Sequence, residues 1–289
     1  MASLIAFVVA GLALLYVGLL VMLWRNQERI VFQPPARVAP SEVAAKRVAY
    51  RARDGVELFA YVVGDCTPAS TVVLAFHGNA DIARWFVPWA AAVHEETDAC
   101  VVLPEYRGYD GITTAPSYAS SALDARAALE LVRDSMHVSS DRIVYFGHSL
   151  GTAVAAELTS VATPRALVLQ APFSTARAMA ARMFLPGLTT FWRVISRVHF
   201  DTIARVRALG APVWVAHGDR DLIIPVRMGH EVYEAAAHRG DLLIVHGAGH
   251  NDVPDVGGPS YWSWLRRAIE SPQASATAPG PATETRSAP

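Results

Sequence analysis

The pentapeptide Gly147-His148-Ser149-Leu150-Gly151 directly follows the strand-like run Arg142–Phe146 and directly precedes a helix-forming run. A serine on a tight strand-to-helix turn sits in strained backbone geometry, and small residues two before and two after it let the chain fold back without a clash. Such a turn lifts Oγ above the sheet, and the amides opening the next helix point at the same spot. In isolation Gly-x-Ser-x-Gly is common. With a strand before it and a helix after, Ser149 becomes a candidate nucleophile for acyl transfer.

A serine hydroxyl is a weak nucleophile near neutral pH, so this chemistry requires a histidine base and a carboxylate to orient it, both downstream in the order Ser, acid, His. The acid candidates lie in His217-Gly218-Asp219-Arg220-Asp221-Leu222-Ile223-Ile224-Pro225, after the strand-like run Pro212–Ala216. Asp221 is preferred, because it is deeper in the loop and followed by apolar residues that could bury its bond to an imidazole. Asp219 reads as a turn cap. For the base, His250 in Gly247-Ala248-Gly249-His250-Asn251-Asp252 is preferred over His246, which closes the last strand. His94, His137, His199, His230 and His238 read as surface or lid residues.

The oxyanion of acyl attack needs two preorganised N–H donors. Leu150, next to the nucleophile, offers one, and Asn79 in Phe76-His77-Gly78-Asn79-Ala80 offers the second, with Gly78 permitting close backbone approach. Pro104-Glu105-Tyr106-Arg107-Gly108-Tyr109-Asp110-Gly111 reads as a loop that braces the site. The chain itself supplies nucleophile, base and donors, so neither metal nor organic cofactor is implied.

The elements that must carry these groups are legible as an alternation. A hairpin around Asp54-Gly55, a dipeptide that favours a type I′ turn, joins Arg47–Arg51 to Glu57–Val63. Short apolar runs follow at Thr71–Phe76, Cys100–Leu103, Arg142–Phe146, Ala166–Leu169, Pro212–Ala216 and Leu242–Val245. Helix-like segments lie between them at Ile82–Thr97, Tyr118–Met136, Gly151–Ser160, Val226–His238 and Tyr261–Ile269. Continuous apolar strands separated by helices predict a three-layer α/β fold with a mostly parallel sheet and an antiparallel hairpin in front. Phe173–Val206 is longer than one crossover helix needs, and reads as a helical lid over the ligand-binding sheet edge.

The ordered set of His77-Gly78-Asn79, Tyr106-Arg107-Gly108-Tyr109, Gly147-His148-Ser149-Leu150-Gly151, Asp221 before Ile224-Pro225, and Gly249-His250-Asn251-Asp252 resembles the serine α/β-hydrolases, specifically the Bem46-like group. Members of that group are similar in having an N-terminal membrane segment and a Phe-Gln-Pro element, here Phe32-Gln33-Pro34. The resemblance runs to about Glu270 and implies the α/β-hydrolase fold, Ser149, Asp221 and His250 as a triad, and Asn79 and Leu150 as oxyanion donors. Asp110 stands where many relatives have glycine, and the lid matches least.

The 289 residues are 52% hydrophobic and only 18% charged, with a formal charge of -1, which excludes general disorder and offers no field for gripping nucleic acid. Cys66 and Cys100 could form at most one bridge, which excludes a disulfide scaffold, and their spacing suits neither a metal site nor a redox pair. The apolar excess is concentrated in Ala2–Trp24, which has no charged side chain and is long enough to cross a hydrocarbon core of about 30 Å. A cleaved signal peptide would show a basic start, a shorter apolar run and a small-x-small site, so an uncleaved anchor over residues 1–24 is expected. Arg25, Arg29 and Arg37 after the span, against no basic side chain before it, place the catalytic domain on the cytoplasmic side by the positive-inside rule. A juxtamembrane linker over 25–47, a catalytic domain over 48–270 and a disordered Ser/Pro/Ala/Thr tail over 271–289 complete the layout.

The resulting expectation is a single-pass membrane-anchored serine hydrolase acting on acyl ester, thioester or lipid-like substrates through an acyl-enzyme. A chain beginning near Arg37 is expected to be soluble and still active. The same residues could serve a peptidase or acyltransferase, or an idle binding protein of this fold.

Overall fold

The computed structural model describes residues 2–36, 42–183 and 196–271. Eight strands form one sheet in the order β1-β2-β4-β3-β5-β6-β7-β8: Lys46–Arg51, Glu57–Val63, Val72–Phe76, Cys100–Pro104, Ile143–His148, Ala166–Gln170, Val213–Gly218 and Arg239–Val245 for β1 to β8. β1 and β2 are antiparallel to each other, β2 is antiparallel to β4, and the remaining pairs are parallel. The helices are α1 (Ala2–Val31), α2 (Val87–Thr97), α3 (Tyr118–Glu130), α4 (Leu150–Leu158), α5 (Ala176–Met183), α6 (Thr202–Ala208), α7 (Val226–Ala235) and α8 (Val253–Glu270).

The continuous apolar strands divide between two cores because successive side chains point to opposite faces. Val72, Leu74 and Phe76 of β3, with Tyr145 and Leu169, enter the core that α3, α4, α6 and α7 cover. Val73, Ala75, Phe146 and Val168 enter the other, closed by α2 and by Tyr261, Trp264 and Leu265 of α8. Each fully buried side chain of this size contributes roughly 1.5–3 kcal/mol, so the runs that read as strands are also what holds the three layers together.

Three local features differ from the sequence expectation. In the first hairpin Gly55 lies at φ 88° but Asp54 is not left-handed, and Gly55 N–H donates to Ala52 O at 2.9 Å. A type I′ turn needs both central residues at positive φ, so this is a longer loop with one left-handed glycine. α8 starts at Val253, ahead of the expected Tyr261, and breaks at Gly258, whose φ of 47° and ψ of -131° precede Pro259. Proline lacks the N–H needed to continue the ladder, which masked the first half of the helix in the sequence. α1 continues past Trp24 to Val31, into the expected linker.

Cys66 and Cys100 are bonded, with Cα atoms 5.2 Å apart. The antiparallel pairing of Val63 with Val101 brings the loop after β2 beside the first residue of β4. Closing a loop over a separation of 34 residues stabilises the fold by about 4 kcal/mol in the chain-entropy account. Of the expected lid, α5, the bridge between Thr175 and Asp201, and α6 are described, whereas 184–195 lie outside the described residues, as do 272–289 of the expected tail.

Candidate active site

Ser149 caps α4 immediately after β5, at φ 53° and ψ -117°. A non-glycine residue there is strained by roughly 1–3 kcal/mol, and the surroundings hold it in place. Ser149 N–H donates to Gln170 O of the neighbouring strand at 3.0 Å, and Ser149 O accepts from Thr152 Oγ1 at 2.6 Å. The flanking glycines are steric requirements: a Cβ on Gly151 would run into the Phe76 carbonyl, and one on Gly147 into the Gly151 carbonyl. These contacts are backbone against backbone, so neither could be relieved by a rotamer change.

β5, the loop after β7 and the loop after β8 bring Ser149, Asp221 and His250 together. His250 Nε2 lies 2.8 Å from Ser149 Oγ, and His250 Nδ1 lies 2.6 Å from Asp221 Oδ2. Asp221 Oδ1 accepts two N–H groups, from Ile223 and Ile224, both at 2.8 Å. The carboxylate is buried, as the apolar residues after it suggested. Burial pushes its pKa up, but hydrogen bonds from His217 and His250 outweigh that and hold Asp221 well below the usual carboxylate range. It is therefore ionised at neutral pH, accepts the Nδ1 proton of His250, and leaves the Nε2 lone pair facing Ser149.

Asp219 points elsewhere. Its Oδ2 lies 2.9 Å from His246 Nδ1 and its Oδ1 accepts Gly247 N–H at 2.7 Å, in an outward pair whose imidazole is 87% exposed. The two aspartate–histidine pairs that compete in sequence are thus separated in space, and only one includes a serine.

Asn79 and Leu150 both border the space beside Ser149. Three hydrogen bonds hold the Asn79 side chain: Oδ1 accepts from Gln33 N–H at 2.8 Å and from Tyr109 Oη at 2.9 Å, while Nδ2 donates to Val31 O at 2.7 Å. Gly78 allows this loop to approach, since a Cβ there would stand 3.0 Å from His148 Nδ1 and 3.3 Å from Ser149 Cβ. His77 is buried, donating from Nδ1 to Gly78 O and from Nε2 to Glu105 Oε1, both at 2.8 Å. Burial alone would lower the His77 pKa, but the Glu105 carboxylate wins and holds it above its ordinary value. His148 is the opposite case, with burial and then the neighbouring His250 lowering it to about 4. As a neutral ring it donates from Nε2 to His250 O at 3.2 Å and steadies the His250 loop.

Sequence reasoning missed several of these partners. His217, at the end of β7, places Nε2 3.2 Å from Asp221 Oδ2 and 2.9 Å from Ile224 O. Glu105 also receives Ala83 N–H and Tyr106 N–H at 3.0 and 2.9 Å, tying β4's loop to the Asn79 loop. Arg107 lies buried between Asp124 and Asp54. Asp110 adopts φ 38°, a conformation that glycine takes without strain, and pairs with Arg84. Most unexpectedly, Val31 and Gln33 hold Asn79, so a chain beginning at Arg37 would lack both partners. The activity expected of that truncation is revised to an impaired one.

Two cavities meet at Ser149. An apolar one of about 280 Å³ is lined by Leu150, Phe173, Met179, Phe200 and Ile224 together with Ile30 and Val31 of α1. A second of about 870 Å³ on the His250 side is bordered by Trp85, Trp89, Trp262, Asn251 and Asp255.

Residues 72–240 match the sequence pattern of the alpha/beta hydrolase family. An uncharacterised Mycobacterium tuberculosis protein, Rv2307c, is 35% identical over 268 residues, covering 90% of this chain and 93% of its own. Protein bem46 of Schizosaccharomyces pombe is 30% identical over 186 residues, 62% of each chain. Among solved structures, the Pyrococcus furiosus esterase PF2001 superposes with a TM-score of 0.64 at 20% identity, covering 82% of this chain and 98% of the esterase.

Proposed function

Because this chain belongs to the alpha/beta hydrolase family, we propose that it is a serine hydrolase that cleaves acyl ester or thioester bonds with Ser149, His250 and Asp221. The observation that carries this reading is the unbroken relay of 2.8 Å from Ser149 Oγ to His250 Nε2 and 2.6 Å from His250 Nδ1 to Asp221 Oδ2. Ser149 Oγ attacks the acyl carbon while His250 Nε2 takes the hydroxyl proton, and Asp221 stabilises the imidazolium. The N–H groups of Leu150 and Asn79 hold the oxyanion. Collapse breaks the bond to the leaving oxygen or sulfur, which takes its proton from His250. Water then attacks the acyl-enzyme, gives its proton to His250, and the acid departs as that proton returns to Ser149. A fluorophosphonate probe is expected to label the purified full chain at one site per molecule, with the adduct on Ser149 by peptide mass spectrometry. An intact protein that stays unlabelled would leave the idle binding protein as the reading.

Among the described residues one helix, Ser3–Val31, is long and apolar enough to cross a membrane. We read it as a single-pass anchor, since its apolar side chains are mostly exposed, Phe7 by 79%. For the side on which the domain lies, the Arg25, Arg29 and Arg37 bias and the Cys66–Cys100 bond oppose each other, because structural disulfides persist in oxidising compartments. The bond joins the loop after β2 to the start of β4, within the domain itself, and favours the oxidising side, against the cytoplasmic placement expected from charge. Alkylation of acid-quenched cells without reduction should then leave both cysteines unmodified; modification of both would restore the cytoplasmic placement.

A further inference from the structure

The end of α1 is built into the catalytic domain. Arg25–Val31 carry the helix about 10 Å beyond its uncharged run, at 1.5 Å per residue. Gln27 is buried there and accepts Arg197 N–H on Oε1 at 2.6 Å, while Glu28 Oε2 accepts Tyr118 N–H at 3.0 Å. The Arg197 guanidinium donates to Trp24 O at 3.0 Å and lies 5.0 Å from the Trp24 ring centroid. Phe32, also buried, meets the Phe200 ring edge-on at 6.4 Å. With the two Asn79 bonds to Val31 and Gln33, these contacts fix where the helix end stands relative to Ser149.

That position has a chemical consequence. Ile30 and Val31 line the apolar cavity that Ser149 borders, together with Phe173, Met179 and Phe200. The same cavity is edged by Ile223, 54% exposed, which follows Leu222, 86% exposed. A bilayer has a hydrocarbon core of about 30 Å and a full thickness of about 40–45 Å, which leaves about 5–8 Å of headgroup on each side, so a point about 10 Å beyond the apolar run stands just above the headgroup layer. An acyl chain could pass from hydrocarbon into the cavity along the helix that crosses that hydrocarbon. It would exchange one apolar medium for another, and its carbonyl would rise through the headgroup layer along the helix end to reach Ser149.

We propose that the C-terminal end of α1 is a wall of the acyl site, with Ile30 and Val31 against the acyl chain, and that the site takes an acyl ester of a lipid resident in the leaflet where α1 ends. The proposal rests on Ser149 being the nucleophile. It makes Ile30 and Val31 specificity-determining residues. The membrane helix then has two functions, holding the domain at the bilayer and selecting the chain that enters it.

The test uses the full chain in phosphatidylcholine nanodiscs, following hydrolysis of monodecanoylglycerol in the disc and of p-nitrophenyl acetate in water. Val31→Trp fills the cavity wall and should lower the decanoyl-to-acetyl ratio of kcat/KM at least tenfold. Val31→Ala, which keeps the backbone bond to Asn79, should move the chain-length optimum of monoacylglycerols upward. Leu14→Trp, on the exposed side of the same helix, should leave the ratio unchanged. A ratio and optimum unaffected in both Val31 variants would overturn the wall. Hydrolysis of an S-acylated peptide with none of the lipid ester would overturn the substrate class. Failure of the wild-type protein to react with a fluorophosphonate would instead count against Ser149 as nucleophile, so the two failures are distinguishable.

Discussion

Ser149→Ala is expected to lower kcat for p-nitrophenyl acetate by about 10⁵- to 10⁶-fold, in line with removal of the nucleophile from other serine triads. The size of the effect follows from what remains. His250, Asp221 and the two N–H donors would stay in place, but the only attacking group left would be water, which is not held 2.8 Å from the base as Oγ is. The fold should hardly change. The strain at φ 53° is backbone strain that alanine shares, and the bond from Ser149 N–H to Gln170 O does not involve the side chain. Thermal unfolding of the two proteins in one detergent should therefore agree within a few degrees. Steady-state rates, corrected for the uncatalysed reaction, decide the matter; a variant within tenfold of wild type would remove Ser149 from the chemistry.

How much of this was legible in the sequence depends on the range of the contact. The strand, turn and helix around Ser149 are local, so residues 142–158 carried their own signature, and chain order then directed attention to the two downstream loops. β3, β4, β5, β6 and β7 were readable for the same reason, since each is a short apolar run buried on both faces. The partners of those loops were not readable. His217 reaches Asp221 only because the chain turns within four residues, and Glu105 meets His77 across 28 residues of intervening helix and strand. Likewise the Asn79 bonds to Val31 and Gln33 span 48 and 46 residues. Nothing periodic marks such pairs. The Phe32-Gln33-Pro34 element was the available clue to the last of them, and composition alone made the surrounding segment look like a linker. The Cys66–Cys100 bond could be counted as possible, but required the β2–β4 pairing to be drawn.

The choice between Asp221 and Asp219 gives the second large effect. In Asp221→Asn the side-chain oxygen should occupy the Oδ1 position, because only an oxygen can accept the N–H groups of Ile223 and Ile224 at 2.8 Å. The new NH2 then falls where Oδ2 lay, 2.6 Å from His250 Nδ1 and 3.2 Å from His217 Nε2. A donor facing Nδ1 selects the tautomer with its proton on Nε2, so His250 would present N–H instead of a lone pair to Ser149 Oγ and cease to act as base. A loss of about 10⁴-fold in kcat is expected, as for the same change in a well-studied serine protease triad. The NH2 also meets the His217 N–H donor to donor, which should destabilise the fold by about 1–3 kcal/mol. Since the folded-state pKa of Asp221 is depressed, the carboxylate's contribution to stability is complete above the ordinary carboxylate pKa. It is lost as the pH falls through the folded value, so the stability gap between wild type and variant should narrow in acid. Asp219→Asn should stay within about twofold of wild-type activity, since its pair with His246 is solvent-exposed and exposed pairs contribute about 0–1 kcal/mol. Rates of the two variants on one acetyl ester decide between them. If Asp219→Asn proves the more damaging, the orienting acid belongs to the His246 pair and the Asp221 assignment fails.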